Sequence, residues 1–564
     1  MKNKFLYKTV LGLVAAVSFS SCQEMFEADA EHVLFTEDVL LDHPTDTVYS
    51  VVGILSKLQT IADRTVLLGE LRGDMMQLTP DATLDLQALA NFTADTKNEY
   101  NKPQDYYAII NNCNYFLAYA DTTLRKRNEP IFLKEYAVVK AFRAWTYLQL
   151  AQVYGEVPFV TEPILTEKQA SKTYPKKGIV ELCDYFIEDL LPYINTPLPG
   201  YGTIGSLNSQ YYFFPIRVLL GDFCLWSGRY TEAAQYYKEY LTDRSDPKPI
   251  GSSRVEWYTQ TNTFEMIYDS YSGYFLSVSS TEYLCGIPME SNSFEGLVSD
   301  LPNVFNSTQD NYFYYQAEPS IALRTLSRNQ SNCKVYVNQA TATRDTLYAP
   351  DEPFVDQPLT TGDLRLWSIY SWSDVGTGND RYSTKYQSVS KIIRQYIPTY
   401  RLTQIYLRYA EAMNRAGYPT AAFAVLKHGL TNANVASFVD STEIAAASGT
   451  TLLTWDVTYF TAQNTIGIHS KGSGDAAANK FYVIPELASR EDSILFVEDK
   501  IVDELALETT FEGYRFFDLM RVAMRRDDAS YLASKVAGRY GTDNFSQDLY
   551  DRLLVRSNWY LPLR

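Results

Sequence analysis

Histidine is nearly missing from this 564-residue sequence: His32, His43, His428 and His469 stand far apart, with no HExxH spacing. The six cysteines are equally scattered and form no CxxC pair. These absences exclude the usual structural and catalytic zinc sites. No GxGxxG or Walker A loop is present, which removes the common dinucleotide and phosphate-loop sites. Basic clusters are also missing. With 50 basic against 67 acidic residues and a net charge of −17, attraction to nucleic acid or anionic lipid is disfavoured. Beyond the N-terminus no run reaches 18 apolar residues, so no later segment can span a bilayer as a helix.

What is there is a globular composition, 46% hydrophobic and 21% charged, with one excess: 45 tyrosines. A tyrosine ring is apolar and its tip polar, so the excess suits the rims of large helical cores, wet interfaces and surfaces for polar ligands. The length allows two to four domains.

The N-terminus supplies an address. Lys2, Lys4 and Lys8 precede an apolar run from Val10 to Phe19, about half the length that crosses a bilayer. That is the pattern of a secretory signal peptide, residues 1–21. It ends in Phe19-Ser20-Ser21-Cys22, which resembles a bacterial lipobox, although Phe19 replaces the usual leucine. Cys22 is therefore the expected lipidation site, and lipid on it would anchor an otherwise aqueous body to a membrane. The acids in Gln23-Glu24-Met25-Phe26-Glu27 resemble a surface-export signal, which favours an outer-membrane anchor facing the exterior. The five remaining cysteines, Cys113, Cys183, Cys224, Cys285 and Cys333, read as buried thiols. A Cys285–Cys333 bond is open but has no support from spacing.

Residues 22–45 read as a tether, and the periodicity predicts helices over Thr47 to Ala62 and Tyr106 to Ala120. Between them GELRGDMMQLTPDA reads as a polar loop carrying Glu70, Arg72 and Asp74. In Ala137 to Pro158, AVVKAFRAWTYLQLAQVYGEVP, the residues Ala137, Ala141, Ala144, Leu148 and Ala151 share one small-residue face suited to helix stacking. Lys140, Arg143 and Gln149 read as its solvated face, and Gly155 and Pro158 end it. A further helix is predicted over Gly178 to Ile194.

Gly221, Gly228, Ala233 and Tyr237 keep the spacings of a tetratricopeptide-type helix pair, and a shift of 189 residues finds Ala410, Gly417, Ala422 and Leu426. Leu148 and Gly155 fit the same series in part. The fold expected is mainly α, a tetratricopeptide-like superhelix of helix pairs over residues 46–253 and 395–564. Residues 254–394 differ: short Tyr, Thr, Ser and Val runs broken by Gly, Pro and Asn, as in DNYFYYQ, predict an irregular mixed subdomain, functional rather than connective. A second polar excursion is expected over 431–490. A helix with a central break is predicted from Asp492 to Met524, where Glu504, Glu508, Glu512, Arg515, Asp518 and Arg521 recur at steps of three and four and can pair along one face.

The chain resembles the SusD/RagB family of Bacteroidetes outer-membrane nutrient-binding lipoproteins. The resemblance is carried by YAIINNCNYFL at Tyr107 to Leu117 and by Glu135 with Lys140, Arg143 and Val153 to Pro158. It continues in Leu220-Gly221, Asp363 with Arg365 and YRLTQIYLRYAEA at Tyr400 to Ala412. Phe511 to Leu519, FEGYRFFDL, and Tyr560-Leu561-Pro562 complete it. It implies a lid-like protein seated on a SusC-like TonB-dependent transporter, with the irregular subdomain of residues 254–394 facing the ligand. Such a protein binds an oligosaccharide, or in some members a peptide, and hands it on unaltered.

The family has no single binding motif. Asp74, with Arg72, lies where members often carry a short acidic motif, although Gly73 stands where they have a small hydroxyl residue. Glycan binding needs flat rings and planar polar groups. The expected contributors are Trp257, Tyr258, Tyr271, Tyr274, Tyr314, Trp367 and Trp372, with Tyr312, Tyr315 and Tyr370 beside them. Peptide binding would use the same rings with Glu, Asp and Arg for the termini. The competing class is a surface glycoside hydrolase using a carboxylate pair. Gly467 to Gly472 (GIHSKG) looks like a nucleophile elbow but sets its serine one position late. No cofactor, no metal and no catalytic residue is expected.

Overall fold

Pro44 opens the first helix, a position where its missing N–H costs nothing. The computed structural model describes residues 44–563 apart from 127, 206, 262, 276–280, 292, 293, 295, 311, 350–360, 376–383, 393 and 394. The leader, Cys22 and the tether as far as His43 lie outside the described residues. Ten helices carry the architecture: α1 (Pro44–Glu70), α2 (Pro103–Tyr119), α3 (Leu133–Tyr154), α4 (Ile179–Leu190), α5 (Ile216–Trp226), α6 (Tyr230–Leu241), α7 (Leu402–Arg415), α8 (Pro419–Lys427), α9 (Arg490–Thr509) and α10 (Arg515–Arg525). Each packs on the next up to α8. α9 lies against α7 and α8, and α10 returns to α1. The fold is mainly α, and every sheet among the described residues is a two-stranded antiparallel pair.

The helix stops follow the sequence. Gly155, Gly228 and Gly417 all turn the chain at positive φ (75°, 78° and 95°), where a side chain would be strained. Gly221 lies where α6 crosses α5: a Cβ there would meet the Tyr237 ring at 2.5 Å. The predicted break in the last helix falls at residues 510–514, between α9 and α10.

Three expectations are corrected by burial. Beyond its exposed first turn α3 lacks the expected solvated face, and Gln149 is half-buried. Lys140 and Arg143 are buried, and both reach Asp189, at 2.5 and 3.0 Å, while Arg143 also donates to Asn114 Oδ1 at 3.0 Å. Helix α1 runs on to Glu70, and the GELRGDMM segment is core rather than polar loop. The 431–490 excursion begins with two short helices, Asn432–Phe438 and Ser441–Ala446, and its His469 to Ser473 stretch is buried. All five described cysteines are buried and free, so Cys285 and Cys333 do not pair.

The acids of α9 and its sequel do not lie along a surface stripe. They point into the interior and meet bases from distant segments. Arg365 donates to Asp363 at 2.9 Å, Glu504 at 2.7 Å and Glu508 at 3.2 Å. Arg401 donates to Glu508 at 3.1 Å, Glu512 at 2.8 Å and Glu282 at 3.0 Å. Lys391 closes on Glu512 at 2.5 Å, Lys471 on Glu282 at 3.0 Å and His469 on Glu504 at 2.5 Å. Arg515 grips Asp74, and Arg521 bonds Glu411 at 2.6 Å. Asp518–Arg521, at 2.8 Å, is the pair that stays within the stripe. Such a network holds only because each charge has a partner; one left alone in this interior would be strongly destabilising.

Candidate functional site

The charged candidates belong to that interior. Arg72 is buried between the Phe92 and Phe516 rings, 5.0 and 4.3 Å from their centroids, and donates to the Trp559 carbonyl. Burial pulls its guanidinium down to about 9. Asp74 accepts both Arg515 Nε at 2.6 Å and Nη2 at 2.9 Å. Burial would raise its carboxyl, but the Arg515 charge overrides that and holds it below the usual range. Neither is open to a ligand, which corrects the expectation drawn from position in the chain.

The aromatic candidates divide. Tyr271 is fully buried, edge-on to Phe275 at 5.1 Å. Tyr274 is half-buried beneath Lys471, whose Nζ lies 5.6 Å from the ring centre. Trp257 is half-buried against Phe264 at 4.9 Å, and Trp367 packs on the core. Tyr258 is half-buried in the hairpin Val255–Tyr258 with Met266–Asp269, edge-on at 5.7 Å to the more open Tyr268. Trp372 sits opposite Gln387 in the ladder of Tyr370–Val375 with Thr384–Val389; its side chain lies outside the described ones. Tyr314 is 61% exposed, and Tyr312 is 82% exposed.

Those two rings stand on one loop, residues 306–316, between the helix Leu301–Phe305 and the strand Ala317–Pro319. The loop is tied down from several sides. Gln387 is buried, and its Nε2 donates to Phe305 O at 2.7 Å and Ala317 O at 2.8 Å, clasping both stems. Ser307 N donates to Gln387 O at 2.8 Å, and Val389 N donates to Asn306 Oδ1 at 2.7 Å. Within the loop Phe313 N reaches back to Thr308 O at 2.7 Å, and the Phe313 ring leans on Tyr386 at 5.2 Å.

This closure forces Tyr312 and Phe313 into the left-handed region, at φ 53° and 66°. Each such bulky residue costs on the order of 1–3 kcal/mol and persists only where its surroundings over-determine it. The rings of Tyr312 and Tyr314, on either side of Phe313, face solvent.

A second segment completes the site. Strand Met76–Leu78 pairs with Ala317–Pro319, and beyond it Thr79 Oγ1 donates to Tyr315 O at 2.6 Å. Thr83 N donates to Gln316 Oε1 at 3.0 Å. Asp81 and Thr83 are therefore exposed beside the tyrosine loop, next to Leu84, which is 81% exposed at the start of a helix. The surface so formed offers flat rings, carboxylate, amide and hydroxyl groups.

Sequence reasoning missed Leu84, Phe313, Tyr386 and the clasp by Gln387. The aromatic-rich DNYFYYQ run was the signal for the loop; nothing local marks Gln387 or Leu84. Among the described residues no three His, Cys, Asp or Glu side chains are grouped to hold a metal ion. Glu504, Glu508 and Glu512, the carboxylates of the predicted stripe, are engaged by arginine or lysine and so are not free to serve as a hydrolytic pair; Arg365 outweighs burial and holds Glu504 down to about 2. Ser470 is buried in a short 3₁₀ helix, accepting the Ala476 N–H at 3.2 Å, not exposed at an elbow.

With this geometry in place, comparison with known proteins gives a consistent answer. The SusD family model matches residues 365–563. No curated protein matches the chain. Among solved structures, a SusD superfamily protein from Bacteroides vulgatus ATCC 8482 aligns at TM-score 0.57 and 13% identity, over 91% of this chain and 92% of that one. Surface glycan-binding protein A from Bacteroides uniformis aligns at 0.54 and 15%, over 92% and 95%. A laminarin-binding SusD-like protein aligns at 0.52 and 17%, over 92% and 95%. Residues 365–563 thus carry the SusD family's sequence pattern, and the described chain as a whole has the fold of the SusD superfamily. The similar structures include proteins described as binding glycans.

Proposed function

We propose that this protein binds a nutrient oligosaccharide or polysaccharide at the tyrosine loop without altering it and delivers it to a SusC-like TonB-dependent outer-membrane transporter. Lipid on Cys22 would hold it at the outer face of the outer membrane. The observation that carries the reading is the loop: two exposed tyrosines, Tyr312 and Tyr314, flanking the left-handed backbone of Tyr312 and Phe313, held in place by a buried glutamine. Strain maintained by so many contacts is a mark of a functional surface. Exposed rings flanked by small polar groups suit the apolar face and hydroxyl rim of a sugar. The similar proteins described as glycan-binding support the ligand class. No helix among the described residues is long and apolar enough to cross a membrane, so anchoring would rest on the lipid.

The test is retardation in native gels cast with single polysaccharides, run beside capture of peptides from a protein digest. The reading expects retardation by at least one polysaccharide and no peptide capture. Peptide capture with no polysaccharide retarding the protein would move the ligand to the peptide class. Release of reducing ends from a bound glycan would overturn the non-enzymatic part. Replacing Cys22 by Ala should release the protein from membranes with glycan retardation intact.

A further inference from the structure

A cavity lies away from the tyrosine loop and shares no residue with it. It is a cleft of about 1030 Å³ between the 194–217 connection, the chain leaving α6, and Leu284 and Leu402. That volume is at the upper end of ordinary ligand sites. Its walls are stiffened by Pro197, Pro215, Pro247 and Pro249, whose fixed φ limits what a ligand would have to order.

The charges that line it are each engaged by a neighbouring group. Lys248 pairs with Asp246 at 2.8 Å, Arg217 reaches Glu239 at 3.3 Å, and Asp243 Oδ1 accepts Ser245 N–H at 2.9 Å and its hydroxyl at 2.7 Å. The lining carries two bases and two acids, so its formal charge sums to zero and selects no phosphate, carboxylate or amine. What the cleft leaves available is neutral. Asn195 and Asn208 use their Oδ1 atoms on Arg217 and on Gln210 N, at 2.7 and 3.0 Å, which leaves their amide N–H groups to donate. The Gln210 side chain has no partner among the described residues. Tyr211 supplies a half-buried ring, edge-on at 5.6 Å to the buried Tyr283, while Lys248 Nζ lies over the Tyr240 ring at 4.6 Å. Amide donors beside the Tyr211 ring, with balanced lining charge, match a neutral polyhydroxyl chain.

We infer that this cleft is a second binding site for a neutral oligosaccharide, separate from the tyrosine loop. The inference rests on the carbohydrate reading above for its ligand class, and its test separates the two. The full chain is titrated calorimetrically with neutral hexasaccharides: β-1,3-, β-1,4-, α-1,4- and α-1,6-glucans, β-1,4-mannan and xylan, with oligogalacturonate as a charged control. The same titrations are run on Tyr312→Ala/Tyr314→Ala, and on that double variant carrying Gln210→Cys labelled with a bulky maleimide. Gln210 is exposed, the five described cysteines are buried and Cys22 is replaced by Ala in every protein titrated, so the label goes to position 210; maleimide-treated protein without that cysteine is the control.

The expected result is one saturable site for a neutral hexasaccharide remaining in the loop variant. It should be unchanged between 50 and roughly 500 mM salt, as befits a site without net charge, and weakened at least tenfold by the label. A single wild-type site lost entirely in the loop variant would overturn the cleft and leave the loop reading standing. Residual binding indifferent to the label, or binding of oligogalacturonate alone, would also overturn the cleft. Undiminished wild-type binding in the loop variant, abolished by the label, would support the cleft and overturn the loop. A protein that binds no member of the panel overturns both.

Discussion

The interior around α9 and the loop at residues 306–316 invert the usual distribution of residue types. The first packs carboxylates, arginines and lysines where apolar side chains normally sit. The second presents tyrosines where charges normally sit. The difference separates two tasks. Buried ions joined by fixed hydrogen bonds tie segments more than a hundred residues apart into one arrangement, as Arg365 does with Glu508. Exposed rings on strained backbone add nothing to that and have to be held by something else, here Gln387 and the strands beside it. The charged region should therefore govern stability and leave binding chemistry alone, and the loop should do the reverse.

The largest expected effect comes from breaking the first side of this contrast. Arg365→Ala leaves Asp363, Glu504 and Glu508 buried with a cation missing, a loss of about 3–5 kcal/mol or more, read as a fall in the urea unfolding midpoint. A variant as stable as the parent would show that the network is dispensable.

Acid probes the same region without mutation. The carboxyls of Glu282, Glu411 and Glu504 are held down to about 2 by neighbouring bases that outweigh burial. Their contribution is present above 4.5 and lost as pH falls towards 2, on the order of 3 kcal/mol for each buried group. Unfolding midpoints at pH 5 and pH 3 should differ steeply.

Glu70 behaves in the opposite sense. Burial raises its carboxyl to about 7, its Oε1 accepting the Gly513 N–H at 2.8 Å. Its contribution is present below 4.5 and lost as pH rises through 7. Glu70→Gln should gain up to about 3 kcal/mol at pH 8 and little at pH 4.5, measured as paired urea midpoints.

On the other side of the contrast, Tyr312→Ala/Tyr314→Ala should weaken glycan binding at the loop about 10- to 100-fold, as expected for losing the central rings of a site. Stability should change by no more than about 0.5 kcal/mol, since both rings are solvent-exposed. The smallest effect is expected at Tyr268, exposed on its own hairpin: Tyr268→Ala should change affinity by less than about twofold. An equal loss there would mean that the platform extends across the irregular region.

The helical frame was largely legible in the sequence because it depends on local rules. Small residues at steps of three and four marked α3, glycines marked its stop and those of α5 and α7, and the break before α10 showed in the TTFEGY run. Partnership across the chain was not legible. Lys140 and Arg143 read as solvated because Asp189 is far along the sequence, and Arg72 and Asp74 read as binding residues because Trp559 and Arg515 are farther still. The tyrosine loop was half legible: its composition showed, but the left-handed backbone of Tyr312 and Phe313 follows from the clasp at Gln387, which no propensity reveals.

The most direct test is a crystal structure of the protein with the oligosaccharide that binds it best. The account predicts a sugar ring stacked against Tyr312 or Tyr314, with Gln387 still bonded to Phe305 and Ala317. A complex in which the glycan is fully ordered and touches neither ring would contradict it.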